Sequence, residues 1–262
     1  MPVVESYKPG SFSWADLGTT DQNAAKAFYG EILGWTANEM PMGDGQTYSM
    51  MQKNGLDAGG IAMQQPGAKA MGAPPAWTNY VTVENADDAV AKAASLGGNV
   101  LMPAMDVMEA GRMAVLQDPT GAVFAVWQPG QHKGAGFTQD PGGLAWQELY
   151  TTDTEKAGKF YNGLFGWEPK PTPMPDMDYT IFQIGDRQLG GMMKIDPSMG
   201  PIPPNWMTYW SVENADASIE KIKSLGGKIY MGPHEVPGVG RFAICADPQG
   251  AAFSIIAPSG AM

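Results

Sequence analysis

Histidine and cysteine are almost missing from this chain, which holds two of the first (His132 and His234) and one of the second (Cys245) in 262 residues. A lone cysteine excludes an intrachain disulfide framework and makes a reducing compartment the natural setting. So few imidazoles and thiolates leave little for zinc or iron, which want three or more such donors or carboxylates together. Positive charge is also scarce: 16 Lys and Arg stand against 27 Asp and Glu, a net charge of −11. That balance excludes the basic face needed to bind nucleic acid or an anionic membrane. No segment approaches the ~18 apolar residues of a membrane span. Residues 1–10 lack the basic-then-apolar run of a signal peptide, so a cytoplasmic location is expected. No Ser-His-Asp set, phosphate loop or dinucleotide fingerprint is present.

What the chain does have is itself, twice. Thr19-Thr20-Asp21, Phe28-Tyr29 and Leu33-Gly34-Trp35 return as Thr151-Thr152-Asp153, Phe160-Tyr161 and Phe165-Gly166-Trp167, at an offset of 151 − 19 = 132. Later, Trp77–Val83 with Glu84-Asn85-Ala86-Asp87 returns as Trp206–Val212 with Glu213-Asn214-Ala215-Asp216, at 206 − 77 = 129. Asp118-Pro119-Thr120-Gly121 returns as Asp247-Pro248-Gln249-Gly250. A repeat this long means two copies of one structural unit, and the falling offset reflects deletions in loops.

Each copy reads as strand, helix and three strands, twice over. Ser13–Thr19 alternates as a strand, with Ala15 and Leu17 on one face and Trp14, Asp16 and Gly18 on the other. Asp21 is the expected N-cap, Ala24, Ala27, Phe28 and Ile32 the expected buried stripe, and Gly34 the left-handed stop. Gln64–Pro75 and Asp196–Pro204 read as matching connectors. The expected domains are 1–130 and 144–262, with 131–143, rich in Pro, Gly and polar residues, as linker.

This pattern resembles the vicinal oxygen chelate superfamily, which includes glyoxalase I, bleomycin-resistance proteins and extradiol dioxygenases. The residues that carry the resemblance are the strand ending Thr-Thr-Asp, the Ala-x-x-Phe-Tyr-x-x-x-Leu-Gly-Trp run and the Asp-Pro-x-Gly hairpin. It implies an α+β fold of tandem glyoxalase-like domains. Each would be two βαβββ units closing into an open, curved β-barrel with helices outside. Within the superfamily the chain looks most like tandem-domain bacterial proteins described as hydroxylases or glyoxalase-like antigens.

The resemblance also implies where a divalent metal would be held, by His, Gln or Glu of the first and last strands. The corresponding positions here are Trp14 and Trp146, the neighbourhood of Thr78 and Met207, and Ala125 and Ser254. None is a good ligand, so no metal and no other cofactor is expected, with a divalent ion held in an unorthodox way as the alternative. What stands there instead is acidic and aromatic. Trp146, Glu148 and Tyr150 share one strand face, as do Trp14 and Asp16. Tyr80 and Tyr209 match and face the same hollow. An acid beside aromatics can have a raised pKa and act as general acid or base, so Glu148 and Asp16 are the catalytic candidates. Equally, they are partly solvated acids covered by Trp, or they hold a cationic or hydrogen-bonding ligand.

Trp14, Trp146, Tyr150, Tyr80 and Tyr209 are therefore candidate ligand-binding residues. Arg112 and Arg241, which begin matching strands, join them as potential carboxylate or phosphate forks. The competing reading makes each a rim ion pair with an acid such as Glu109 or Glu235. The 19 methionines suit an irregular apolar pocket or, more simply, the core. The expectation is a small-molecule binder acting as monomer or homodimer, without nucleic-acid or membrane partners. The alternatives are a lyase, hydroxylase or dioxygenase of the same superfamily, or a scaffold with vestigial pockets.

Overall fold

The computed structural model describes residues 2–43, 45–67, 72–174 and 177–259; of the connector at Gln64–Pro75, residues 68–71 lie outside the described set. The first unit is β1 (Phe12–Thr19), α1 (Gln22–Leu33), β2 (Thr36–Gly43), β3 (Gln46–Lys53) and β4 (Leu56–Met63). The second is β5 (Ala76–Thr82), α2 (Ala86–Ser95), β6 (Asn99–Val107), β7 (Gly111–Gln117) and β8 (Val123–Pro129). Together they make one eight-stranded sheet in the order β2-β3-β4-β1-β5-β8-β7-β6.

The second half repeats this with β9 (Leu144–Thr151), α3 (Thr154–Phe165), β10 (Glu168–Met174), β11 (Met177–Ile184) and β12 (Arg187–Lys194). It continues with β13 (Asn205–Ser211), α4 (Ala215–Ser224), β14 (Lys228–Val236), β15 (Gly240–Ala246) and β16 (Ala252–Pro258). The order is β10-β11-β12-β9-β13-β16-β15-β14. In each unit the first strand pairs parallel with the last, and the two first strands meet antiparallel at the sheet centre. Each sheet curls into a half-barrel.

The local signals work as chemistry requires. Asp21, Asn85, Asp153 and Asn214 each accept a backbone N–H of the first helical turn, and Gly34 and Gly166 end α1 and α3 at φ 72° and 76°. The buried stripe of α1 differs from expectation. It is Ala25, Phe28, Tyr29 and Leu33, while Ala27 is exposed. Sequence alone gives no reason to bury a phenol; its partner, Asp247, comes from the other half.

β10 is a strand that the sequence hides behind Pro169, Pro171 and Pro173. All three prolines have the same parity, so their missing N–H groups point away from β11 and the ladder survives. On an edge strand this also blocks further pairing.

The halves are joined by two equivalent latches. Trp77 Nε1 donates to Tyr29 Oη (3.0 Å), and Tyr29 donates to Asp247 Oδ2 (3.1 Å) across the junction. Trp206 Nε1 donates to Tyr161 Oη (2.7 Å), and Tyr161 donates to Asp118 Oδ2 (2.9 Å). The other carboxylate oxygen of each aspartate gathers backbone N–H groups of its own turn. The Phe-Tyr and Asp-Pro-x-Gly motifs are thus two ends of one bond, which holds one half to the other. Around it pack Trp35, Trp77 and Trp210 at one junction and Trp167, Trp206 and Phe12 at the other.

The segment read as a linker is no free tether. Ala135 and Phe137 are fully buried, and Gly136 bonds Val4 and Asp57. Its end repeats the N-terminal arm. Trp167 Nε1 donates to the Gly10 carbonyl and Trp35 Nε1 to the Gly142 carbonyl, both at 2.8 Å, and 142 − 10 again gives 132. Among the described residues no helix is long and apolar enough to cross a membrane.

Candidate functional site

Alternation along β1 sends Ala15 and Leu17 into the core behind the sheet and leaves Trp14, Asp16 and Gly18 on the concave face. On β9, Leu149 packs with Phe160 and Tyr161 of α3, while Trp146, Glu148 and Tyr150 face the second cup. Each cup floor therefore carries one carboxylate at the centre of its sheet.

Two phenols hold each carboxylate. Asp16 Oδ2 accepts from Tyr80 (2.9 Å) and from Tyr48 (3.4 Å), and Trp14 Nε1 donates to the Tyr48 oxygen at 2.8 Å. Glu148 Oε2 accepts from Tyr179 (2.7 Å), its Oε1 from Tyr209 (3.3 Å), and Trp146 Nε1 donates to the Tyr179 oxygen at 3.1 Å. The clusters are the same Trp-acid-Tyr-Tyr constellation built twice. Tyr150 adds a third phenol to the Glu148 cluster.

Burial pushes Asp16 up to about 6, with the two phenol bonds acting in the opposite direction. Burial also raises Glu148 above the ordinary carboxylate range, again opposed by its phenols. Tyr48, Tyr80, Tyr179 and Tyr209 are raised by burial and by the adjacent acid. At neutral pH they are protonated donors. The arrangement offers hydrogen-bond acceptance and negative charge on an apolar aromatic floor.

Tyr48 and Tyr179 are absent from the sequence candidates, yet they complete both clusters. A signal existed: they match at 179 − 48 = 131, the same offset as Gly60 and Gly191. Those glycines explain how the phenols reach the acids. A Cβ at Gly60 would lie 1.8 Å from the Tyr48 oxygen, and one at Gly191 would lie 2.0 Å from the Tyr179 oxygen. Asp16 is paired with Gly60 and Glu148 with Gly191, so each acid has a bare backbone beside it for a phenol to cross.

Arg112 and Arg241 sit elsewhere, a correction to their candidacy. Strand parity puts Met113, not Arg112, with Trp127 on the concave side. Arg112 forks onto Asp87 and also pairs with Asp106; Arg241 forks onto Asp216. They tie the outer strands to the first turns of α2 and α4. His132, placed in the linker by sequence, folds against Trp14, with ring centroids 4.6 Å apart. Its Nδ1 lies 3.8 Å from Asp57, its Nε2 has no partner among the described residues, and burial lowers its pKa. Cys245 is buried and its thiol pushed up to about 12, so it is unsuited to act as a nucleophile.

The positions implied for a metal do converge. Trp14 faces Tyr80, Asp16 faces Thr78, and Ala125 lies beside Tyr80; the second cup sets Trp146, Met207 and Ser254 likewise. Their side chains do not fit a divalent ion, since an indole donates only N–H and a methyl has no donor atom. No group of three or more His, Cys, Asp or Glu that could hold a metal occurs among the described residues.

Sequence comparison agrees with this architecture. The family model of the Glyoxalase/Bleomycin resistance protein/Dioxygenase superfamily matches residues 11–126 and 143–255. The chain belongs to this superfamily. Within the glyoxalase superfamily it is 40% identical over 261 residues to the "Putative glyoxylase CFP32" of Mycobacterium tuberculosis, covering 99% of both chains. It is 34% identical to the anthracycline biosynthesis protein DnrV of Streptomyces peucetius, covering 95% of this chain and 94% of that one. Among solved structures it resembles the Mn(II)-bound glyoxalase of Novosphingobium aromaticivorans, with TM-score 0.65 and 15% identity over 95% of this chain and 82% of that one. It also resembles the 2,3-dioxygenase LapB of Pseudomonas sp. KL28, with TM-score 0.65 and 13% identity over 96% and 92%. At those identities the likeness is one of fold.

Proposed function

We propose that this superfamily member binds a small organic molecule on the concave face of a half-barrel, with a carboxylate and phenols in place of a divalent ion. The observation that carries this reading is the substitution on the cup floor. Indole, hydroxyl, thioether and methyl groups occupy the implied metal positions, while an acid clamped by two tyrosines stands between them. The anthracycline-biosynthesis relative supports a small organic ligand. The test is metal analysis of protein purified without chelator, paired with thermal shift. Metal well below one equivalent is expected, with no loss of melting temperature on adding EDTA. An equimolar transition ion whose removal lowers the melting temperature would refute the reading.

A second reading is favoured by the raised pKa of Asp16. A carboxyl titrating near pH 6 can take a proton from a substrate and return it. The superfamily member would then be a lyase or another proton-transfer enzyme, or an oxidoreductase, with Asp16 or Glu148 as acid-base group. Its mark is turnover that vanishes in the folded Asp16→Asn or Glu148→Gln protein.

A further inference from the structure

The two cups are built on one plan and filled differently. At three floor positions the second cup carries the larger side chain, while Trp127 and Met50 of the first cup match the smaller Ile256 and Ile181 of the second. Tyr150 stands where the first half has Gly18, Met193 where it has Ala62, and Met207 where it has Thr78. The effect on packing is direct. Tyr150, Tyr179, Met193, Met207 and Tyr209 form one buried cluster, and Glu148 beneath them is only 7% exposed. In the first cup Asp16, Gly18, Tyr48, Ala62 and Thr78 all keep part of their surface open. Glu148 is sealed under thioethers and phenols; Asp16 keeps part of its surface open, although Trp14, Tyr80 and Trp127 beside it are buried.

The open cup also has a definite chemistry. Met40 pairs with Tyr48, Met50 with Gly60 and Met105 with Met113, so strand parity sets these methionines on the cup side. Met40 and Met105 are 40% and 47% exposed, and both lie on edge strands, at the rim. Thioether side chains are adaptable and suit flat or irregular apolar partners. At the centre of the floor stands Asp16, flanked by Trp14, Tyr48 and Tyr80, and a second acid, Asp57, lies toward Tyr48 with Gln52 and His132 beside it. No lysine or arginine shares the face with it on β1, β3, β4, β5 or β8 among the described residues. An unbalanced carboxylate ringed by aromatic rings suits a cation, which gains from the charge and from the ring faces.

We propose that the halves have divided their labour. The first cup takes the ligand, a flat apolar molecule whose ammonium group reaches Asp16, and the second cup is a filled strut that stiffens the pair. This deepens the proposed function and rests on it.

The test uses the full chain with 13C-methyl-labelled methionine and 2-naphthylmethylammonium as probe. Expected are saturable shifts at Met50 and Met113, the methionines of the first cup that lie inside its rim, with Met193 and Met207 still. Asp16→Asn, nearly isosteric and able to accept the same phenol bonds, weakens binding at least about tenfold, the loss typical of a hydrogen bond to a charged group. The neutral 2-naphthylmethanol binds correspondingly worse. Shifts centred on Met193 and Met207, or a loss from Glu148→Gln as large as that from Asp16→Asn, would overturn the division while leaving small-molecule binding intact. Equal affinity for the alcohol would overturn the choice of a cation. No saturable shift in either cup, in protein shown to be folded, would overturn both the division and the binding reading beneath it.

Discussion

Where the two halves meet, they are close copies. Trp77, Tyr29 and Asp247 on one side answer Trp206, Tyr161 and Asp118 on the other, bond for bond. In the cups the copies part company: Gly18, Ala62 and Thr78 face Tyr150, Met193 and Met207 across the pseudo-symmetry. Each latch ties a helix of one half to the Asp-Pro-x-Gly turn of the other. A cup needs filling only if nothing else will enter it. Identity between copies thus marks the joints and the Trp-acid-Tyr-Tyr floor, and divergence marks the positions around that floor.

The sharpest way to separate the cups is to add a methyl group beneath each phenol. Gly191→Ala drives a Cβ into Tyr179, which is buried and has nowhere to go, and a cost of about 3 kcal/mol in denaturant unfolding is expected. Gly60→Ala does the same to Tyr48, but that ring borders an open cup and can swing aside, so about 1 kcal/mol is expected. Equal costs would argue that both cups are equally filled.

The latches should show the opposite behaviour. Tyr29→Phe and Tyr161→Phe each strip a buried aspartate of a donor and a tryptophan N–H of an acceptor. Each should cost about 2 kcal/mol, and the two should agree. A large difference between them would break the claim that the joints are equivalent.

A smaller effect follows from the acids. Because the folded Asp16 carboxyl is raised from 3.8 to about 6, the folded state holds its proton more tightly than the unfolded chain does. Its contribution to stability is full below the unfolded value and is lost as pH rises through about 6. Between pH 4 and 7 the protein should lose about 2 kcal/mol on this account, and Asp16→Asn should flatten that slope. Glu148 slopes the same way, so Glu148→Gln should flatten its own share. Urea melts at a series of pH values measure both.

The smallest effect belongs to the arginines. Arg112→Ala and Arg241→Ala remove exposed pairs on the outer face, and both the unfolding midpoint and probe binding should stay where they were.

Much of this was legible beforehand. Offsets of 132 and 129 announce the duplication, and period-2 alternation alone groups Trp14 with Asp16 and Trp146 with Glu148 on one strand face. β10 was hidden because proline is read as a breaker, and only the pairing partner shows that three prolines of one parity do no harm. Tyr48 and Tyr179 do not stand out because no acid or histidine shares their strand face to draw attention, and the bare backbone at Gly60 and Gly191 that admits them is visible only in three dimensions. For the arginines residue type left a ligand fork and a rim ion pair open, and strand parity chose the ion pair, Arg112 with Asp87 and Asp106 and Arg241 with Asp216 and Glu235.

The sequence by itself determined the βαβββ repeat, the caps, the faces of the strands and the poverty of metal donors, since these follow from spacing, local hydrogen bonding and residue type. Only the tertiary structure decided that Tyr29 is a buried joint, that the linker is a second N-terminal arm, and that one acid is sealed while its twin keeps part of its surface open. Those outcomes depend on which side chains arrive from more than a hundred residues away, and on the volume left once they have packed.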